Sequence, residues 1–304
     1  MNEPAAMRIR LDIAYDGSGF HGWGRQPGLR SVQGEIEDAL ATIFRRHPPA
    51  PTLVVAGRTD AGVHAVGQVA HVNLTAEHVD ALQRPRRGAA PETREVGPLL
   101  GRRINGIQGP HADVVIVHAS TAPEGFDARF SAIWRRYQYR IADAHAVKDP
   151  LQRHRTTWHP LALDRDTMDV AARALLGLHD FASYCRPREG ATTIRTLQDF
   201  QWDREPDGVL VASLQADAFC HSMVRALVGA CVAVGEGKLA PRQLALLRDA
   251  AERTSAFKVM PARGLTLTRV GYPDDSQLAS RAEQTRARRT LSPRFDGDSP
   301  LPYH

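Results

Sequence analysis

A glycine-rich segment between two short β-branched runs most restricts how this chain folds. Residues 57–67 contain three glycines and separate the apolar run 53–56 from the apolar run 68–72. Runs of that length and composition are typical of β-strands. Glycines between them allow tight turns. The sequence therefore predicts a hairpin whose loop carries Arg58 and Asp60 at one end of a sheet.

The Arg58 and Asp60 side chains have two interpretations at this point. Loops at the end of a sheet often carry catalytic groups. Alternatively, Asp60 hydrogen-bonds its own backbone in an Asx turn, and Arg58 points into solvent. The local sequence alone favours the simple turn and leaves the catalytic interpretation open.

The composition indicates an ordinary globular protein of one elaborated domain or two. The chain has 304 residues, of which 42% are hydrophobic and 24% charged. No apolar run approaches the roughly 18 residues of a membrane span, and the first residues lack a secretion pattern. The three cysteines, Cys185, Cys220 and Cys231, have no C-x-x-C spacing, so we expect reduced, buried thiols and a cytoplasmic protein.

The basic residues of the chain are almost all arginine. Only Lys148, Lys238 and Lys258 are lysines, so 39 less 3 leaves 36 arginines, and the formal net charge is +5. A planar guanidinium suits phosphates and stacked bases better than an ammonium does. A biased genome would give the same preference, so the charge only favours a nucleic-acid partner.

The periodicity predicts an α+β protein made of two similar halves. Strand and helix patterns follow the order strand, helix, strand, strand, helix, strand, and a comparable series then follows. We expect each half to be a mainly antiparallel sheet with helices on one face. The predicted divisions are an N-terminal half over 1–112, a C-terminal half over 113–275 and a disordered tail over 276–304.

The loop over residues 16–26 combines four glycines with aromatic and polar side chains. Glycines let a backbone approach phosphate closely, and Arg25 and the aromatic rings are suited to stacking on bases. Alternatively, Phe20 and Trp23 fill the core beneath the loop. The sequence favours neither interpretation over the other.

Residues 134–141 form a predicted strand with arginines and aromatics in alternation. Tyr137 lies on one face with Arg135, and Arg136 lies on the other face. An aromatic row beside an arginine row suits a strand that faces nucleic acid on one side. A strand with a solvated basic face has the same pattern, so both interpretations stay open.

The segment 218–236 is predicted to form one long buried helix. Its apolar residues surround the helix on nearly all sides, which is typical of a buried helix. Arg225 lies in the middle, four residues after His221. Because an unpartnered buried arginine is costly, the sequence requires an anion there, either a carboxylate or a phosphate.

A set of motifs, in order along residues 8–273, resembles the TruA-type tRNA pseudouridine synthases. The segment from Gly57 to His64, which contains Asp60, is the most specific of them. The set as a whole reverses the preference for a simple turn at Asp60. The other motifs lie at 15–17, 22–26, 31–33, 128–132, 136–139, 177–181, 218–225, 264–265 and 272–273.

The resemblance implies the pseudouridine synthase fold, with sheets joined around a central basic cleft. It also implies conversion of uridine to pseudouridine at positions 38 to 40 of the tRNA anticodon arm, a homodimer, and no metal or organic cofactor. By position, Asp60 is the catalytic aspartate and Arg225 its partner, Tyr137 lies against the base, and Arg58 helps to extrude it. We expect further substrate contacts from Arg25, Gln26, His64, Arg136 and His221.

Two rival functions remain at this stage. A non-catalytic RNA-binding protein on the same scaffold needs the basic surface but not Asp60. A hydrolase with an aspartate nucleophile needs a second carboxylate or a metal motif, and no such motif lies near Asp60. Histidines such as His154 and His159 lack metal-ligand spacing, so we interpret them as structural.

Overall fold

The computed structural model describes residues 6–84, 95–188, 190, 192–252 and 254–286. Strands and helices are mixed through this part of the chain, and the strands form one ten-stranded sheet. The predicted α+β class with a mainly antiparallel sheet and helices is confirmed. Within these ranges, no helix is long and apolar enough to cross a membrane.

The elements lie close to the predicted positions. The strands are β1 Met7–Tyr15, β2 Leu53–Val55, β3 His64–Leu74, β4 Val114–Thr121, β5 Trp134–Ala142, β6 Thr157–Trp158, β7 Gly177–Asp180, β8 Ile194–Arg204, β9 Leu210–Ala216 and β10 Leu265–Gly271. The helices are α1 Val32–Ile43, α2 Ala76–Gln83, α3 Val96–Gln108, α4 Arg165–Arg173, α5 Met223–Gly235, α6 Pro241–Ala250 and α7 Leu278–Arg286.

The last strand, β10, joins the early strands to the late ones. The sheet order is β4-β1-β3-β10-β5-β9-β8-β7, with β2 added to β3 and β6 to β5. Strand β10 is antiparallel to β5 but parallel to β3, where Thr266 pairs with His64. A parallel pair needs a long connection, which here is the chain between β3 and β10. This pairing places the β2–β3 loop beside elements from the second half of the sequence.

The early strands bury one face under helices. Ile9, Leu11 and Ile13 of β1 alternate with polar residues and are fully buried. Ile36 and Leu40 of α1 are also fully buried in the same core cluster. Each such side chain contributes about 1.5–3 kcal/mol when it leaves water. This core supports the strands that carry the Asp60 loop.

The helix α5 is buried in the second core cluster, as its composition predicts, but it begins later than predicted. The helix starts at Met223, and residues 218–222 form a loop that ends at Ser222 with φ of 64°. A residue with positive φ cannot continue a right-handed helix. His221 therefore lies in the loop before the helix, and the prediction of one helix over 218–236 was wrong at its start.

The tail predicted as disordered begins with an ordered helix. Leu278 and Ala282 lie one turn apart on α7, and both are buried. The Leu278 carbonyl also accepts a hydrogen bond from Ser131 Oγ, at 3.0 Å. The prediction of disorder was therefore wrong for α7, which docks through these buried side chains and this hydrogen bond. Residues 287–304 lie outside the described residues.

The cysteines differ from the prediction of three reduced thiols. Cys185 and Cys220 are joined in a disulfide, and Cys231 is free and buried. Sequence spacing gave no sign of this pair because its members are 35 residues apart. The bond links the segment after β7 to the loop before α5. The prediction holds only for Cys231.

Candidate active site

The Asp60 loop is shaped by close backbone packing against the glycine-rich loop 16–26. Gly62 has φ of 76°, and its N–H donates to the Phe20 carbonyl at 3.2 Å. A Cβ on Gly22 would lie 3.0 Å from the Thr59 carbonyl oxygen, so the two loops touch through their backbones. Gly17 packs even closer to Val63. These contacts fix the turn that presents Asp60.

A buried polar network supports the loop from below. Tyr15 Oη and Thr59 Oγ1 are 2.8 Å apart, and Gln68 Nε2 donates to Tyr15 Oη at 3.2 Å and to the Gly57 carbonyl at 2.9 Å. Burial raises the pKa of Tyr15 to about 12, although hydrogen bonds with Thr59 and Gln68 act in the opposite direction. The network ties the start of the Asp60 loop to β1 and β3.

Arg225, from the first turn of α5, faces the Asp60 carboxylate. Arg225 Nη2 lies 3.4 Å from Asp60 Oδ2, and the two side chains are 20% and 32% exposed. The same nitrogen donates to Ser222 Oγ at 3.0 Å, and Nη1 donates to the Met260 carbonyl at 3.4 Å. The anion that a buried arginine requires is thus the carboxylate of Asp60.

His221 also contacts Asp60. Its Nε2 lies 3.6 Å from Asp60 Oδ1, and its side chain is 42% exposed. The carboxylate is therefore flanked by a guanidinium on one oxygen and an imidazole on the other. The structure gives Asp60 a guanidinium and an imidazole as partners instead of the backbone partner of an Asx turn. The Asp60 carboxylate is partly exposed, so a substrate atom can reach it.

Tyr137 lies on β5 and packs edge-on against Phe219. The two ring centroids are 5.2 Å apart at an interplanar angle of 90°. Burial raises the pKa of Tyr137, and the Asp60 charge adds to that shift. The phenol is therefore neutral in the free protein, and its ring packs against Phe219.

Arg58 is exposed and lies over the glycine-rich loop. A Cβ on Gly24 would be 3.6 Å from Arg58 Cζ, so the guanidinium covers this glycine. The structure thus places Arg58 on the Asp60 loop with its charge accessible to solvent. Its backbone is part of the same turn as Asp60.

Arg25 and Gln26 lie at the edge of a separate cavity. Arg25 Nη2 lies 2.6 Å from Asp38 Oδ1, and Gln26 Nε2 donates to the His21 carbonyl at 3.1 Å. The cavity of about 650 Å³ lies between residues 25–31 and the start of α1, and its lining does not include Asp60. Phe20 and Trp23 are buried, which favours their structural interpretation.

His64 and Arg136 are not brought to the carboxylate. His64 is buried, and its ring nitrogens contact the Gly17 N–H at 3.0 Å and the Arg263 carbonyl at 3.1 Å. Arg136 is exposed and alternates with Tyr137 along β5, so it lies on the opposite sheet face. Its Nε donates to Gln215 Oε1 at 3.0 Å.

Sequence reasoning missed the residues that support the site from beneath. Phe219 falls within the predicted helix 218–236, but it lies in the loop 218–222 and contacts Tyr137. Tyr15 and Thr59 are 44 residues apart, so their bond depends on the pairing of β1 with β3. No local pattern identifies such contacts. Among the described residues, no cluster of three or more His, Cys, Asp or Glu is arranged to hold a metal ion.

Comparison with known proteins identifies the family of this chain. The family described as "tRNA pseudouridine synthase" matches residues 171–273. A protein named tRNA pseudouridine synthase A from Leifsonia xyli subsp. xyli is 64% identical over 286 residues, which cover 94% of this chain and 99% of that protein. The protein of the same name from Frankia casuarinae is 52% identical, with 92% and 95% covered.

A third relative with this name, from Mycobacterium leprae, is 48% identical over 284 residues, which cover 92% of this chain and 94% of that protein. Identity at this level over nearly the whole length establishes the class as pseudouridine synthases. Within that class, the chain belongs to the tRNA pseudouridine synthase A family.

Proposed function

We propose that this protein isomerises uridine to pseudouridine at positions 38 to 40 of the tRNA anticodon arm, with Asp60 as the catalytic group. The observation that carries the proposal is the ion pair of Asp60 with Arg225 in a partly open site, at 3.4 Å. A non-catalytic RNA-binding protein has no need of such a carboxylate. The family membership gives the reaction and the substrate class.

The reaction requires a carboxylate but no redox partner. The bond between uracil N1 and the ribose C1′ breaks, the base turns, and C5 bonds to the same C1′. C5 then loses a proton, and N1 gains one. The atoms of substrate and product are the same, so no oxidant or reductant is consumed. A carboxylate serves as a nucleophile, or it stabilises an oxocarbenium-like sugar, as in glycosidases. Asp60 is the carboxylate of this step, whether it acts on the sugar or on the base.

The raised pKa of Tyr137 supports a division of the remaining tasks between Tyr137 and the Asp60 pair. Because the pKa of Tyr137 is raised by burial, its phenol is a poor proton acceptor. We therefore assign removal of the C5 proton to Asp60, and Tyr137 supplies a ring against which the base lies. Arg225 orients the carboxylate through its ion pair with Asp60 Oδ2.

Access to the base requires that it leave the stem. Flipping a stacked uridine costs a few kcal/mol. Arg58 is exposed on the same turn as Asp60 and is suited to occupy the space that the base vacates.

A central basic cleft between two α+β halves is also part of this proposal. It is supported by the meeting of the β2–β3 loop and α5 at Asp60.

We also propose that the protein acts as a cytoplasmic homodimer. Val66, Val115 and Val117 are 60%, 41% and 63% exposed on β3 and β4. On β4, Val115 and Val117 alternate with the buried residues Val114 and Ile116, so they lie on the sheet face away from the core. Exposed β-branched residues grouped on one sheet face are typical of an interface.

The dimer is tested by sedimentation of the double variant Val66→Asp, Val117→Asp. We expect monomers for this variant and dimers for Val170→Asp, whose residue on α4 is equally exposed at 60%. A wild-type protein that sediments as a monomer contradicts the dimer but leaves the catalytic assignment intact.

The substrate assignment is tested with tRNA transcripts that carry a single uridine in the anticodon arm. Purified protein is incubated with transcripts in which positions 38, 39 and 40 are uridine or cytidine in turn. Pseudouridine is then located by carbodiimide labelling and primer extension. We expect modification wherever uridine occupies one of these positions. Modification elsewhere only, or none, contradicts the proposal.

A further inference from the structure

A single arginine that the proposed chemistry does not use connects the two segments that converge on Asp60. Arg135 of β5 donates from Nη1 to the Asp217 carbonyl at 2.7 Å and from Nη2 to the Ala56 carbonyl at 2.8 Å. Nη2 also lies within hydrogen-bond distance of the Arg129 carbonyl, at 3.1 Å. Three separate segments of backbone therefore meet at one guanidinium.

The acceptors lie where the catalytic segments begin. Ala56 is the last residue before the turn 57–60, which carries Arg58 and Asp60. Asp217 is the last residue before the loop 218–222, which carries His221 and leads into α5 and Arg225. Ala56 is thus four residues before Asp60, and Asp217 is four residues before His221, which contacts the Asp60 carboxylate. Arg135 itself is two residues before Tyr137 on the same strand face.

We infer that Arg135 is a positioning residue that sets the distance between Asp60 and its Arg225–His221 partners. Its planar fork spans two carbonyls in fixed geometry, which a lysine ammonium on a flexible stem cannot reproduce. Burial lowers the pKa of Arg135, because its charged guanidinium is partly removed from water. A displacement of about 1 Å at a catalytic group reduces a rate about 10²-fold.

The test compares Arg135→Lys with Arg204→Lys. Arg204 is a matched control because it also donates to backbone carbonyls, those of Gly208 and Leu163, while pairing with Asp143. We measure the single-turnover rate with saturating tRNA, the Kd for tRNA and the melting temperature. We expect Arg135→Lys to lower the rate about 10²-fold with an unchanged Kd. Arg204→Lys lowers the melting temperature without changing the rate.

A double-mutant cycle separates positioning from general stability. In an Arg225→Lys background, Arg135→Lys should cost about tenfold or less, because the geometry it maintains is already lost. The inference is overturned if Arg135→Lys leaves the single-turnover rate unchanged or weakens only the Kd for tRNA. It is also overturned if the rate falls equally in both backgrounds, or if Arg204→Lys lowers the rate as much as Arg135→Lys does. If the lysine variant does not fold, Arg135→Gln, which keeps one amide donor, is measured against the same criteria.

The inference rests on the proposed function, and the two fail separately. Wild-type protein that leaves tRNA unmodified, or Asp60→Asn that remains active, removes the proposed function whatever Arg135 does. A working wild type, an inactive Asp60→Asn and a fully active Arg135→Lys remove only the role of Arg135.

Discussion

Asp60 Oδ2 and Arg225 Nη2 lie 3.4 Å apart although they come from distant parts of the sequence. The carboxylate stands on the loop between β2 and β3, and the guanidinium stands on the first turn of α5. The parallel pairing of β10 with β3, together with the antiparallel pairing of β10 with β5, brings these elements to one place. The chemistry proposed above depends on this pair.

Replacing Arg225 by methionine should slow catalysis more than it destabilises the fold. The pair is partly exposed, so its loss costs roughly 0–1 kcal/mol of stability, and the hydrogen bonds to Ser222 and Met260 are lost as well. We expect the single-turnover rate to fall at least about 10²-fold. Arg173→Met removes a surface pair with Asp169 and should leave the rate unchanged. Full turnover by Arg225→Met contradicts the pairing.

Two glycine-to-alanine substitutions should act in opposite directions. A Cβ on Gly229 of α5 would meet the Lys258 carbonyl oxygen, whereas a Cβ on Gly106 of α3 would meet nothing within 4 Å. We expect Gly229→Ala to destabilise the fold by about 1–3 kcal/mol and to lower activity, because Met260 beside Lys258 accepts a bond from Arg225.

Gly106→Ala should instead stabilise the fold by about 0.5–1 kcal/mol, since alanine loses less entropy in a helix. Urea unfolding followed by circular dichroism measures both. Equal effects of the two substitutions would show that α5 does not pack as closely as the structure indicates.

Acidification should weaken the fold through His71. Burial lowers the pKa of His71 to about 4, and nearby Arg8 adds to the shift. The neutral ring accepts a bond from the Ala128 N–H at Nδ1, at 3.0 Å. Because the folded pKa is depressed, the contribution to stability is complete above about pH 6.5 and is lost as the pH falls toward the folded value.

The urea midpoint measured at pH values from neutrality down to about pH 4.5 reports this loss. His71→Asn keeps an acceptor that does not titrate, so its midpoint should depend less on pH than that of the wild type. Identical pH dependence in the two proteins would show that His71 does not titrate in this way.

Tyr137 should not give the reaction an alkaline dependence. Its pKa is raised above the ordinary value of 10 because it is buried near Asp60. The phenolate fraction is then negligible, and the single-turnover rate should stay flat between about pH 7.5 and 9. A tenfold rise per pH unit that disappears in Tyr137→Phe would instead identify Tyr137 as the base.

Local patterns in the sequence predicted the strands and most helices because alternation and helical periodicity report burial directly. The partner of Asp60 was predicted from the cost of burying Arg225, together with the family resemblance. The helix start at Met223 was missed because composition does not report the positive φ of Ser222. The hydrogen bonds that Arg135 donates to Ala56 and Asp217 were missed because their acceptors are backbone carbonyls, which any residue type carries.

The measurement that tests the central claim most directly is the activity of Asp60→Asn. Asparagine keeps the size of the side chain but removes the charge that Arg225 and His221 contact. Tritium released from C5 of labelled uridine in tRNA is followed for this variant, with Asp38→Asn as a surface-carboxylate control. We predict no release by Asp60→Asn with tRNA binding retained, and normal release by the control. Release by Asp60→Asn at the wild-type rate contradicts the account.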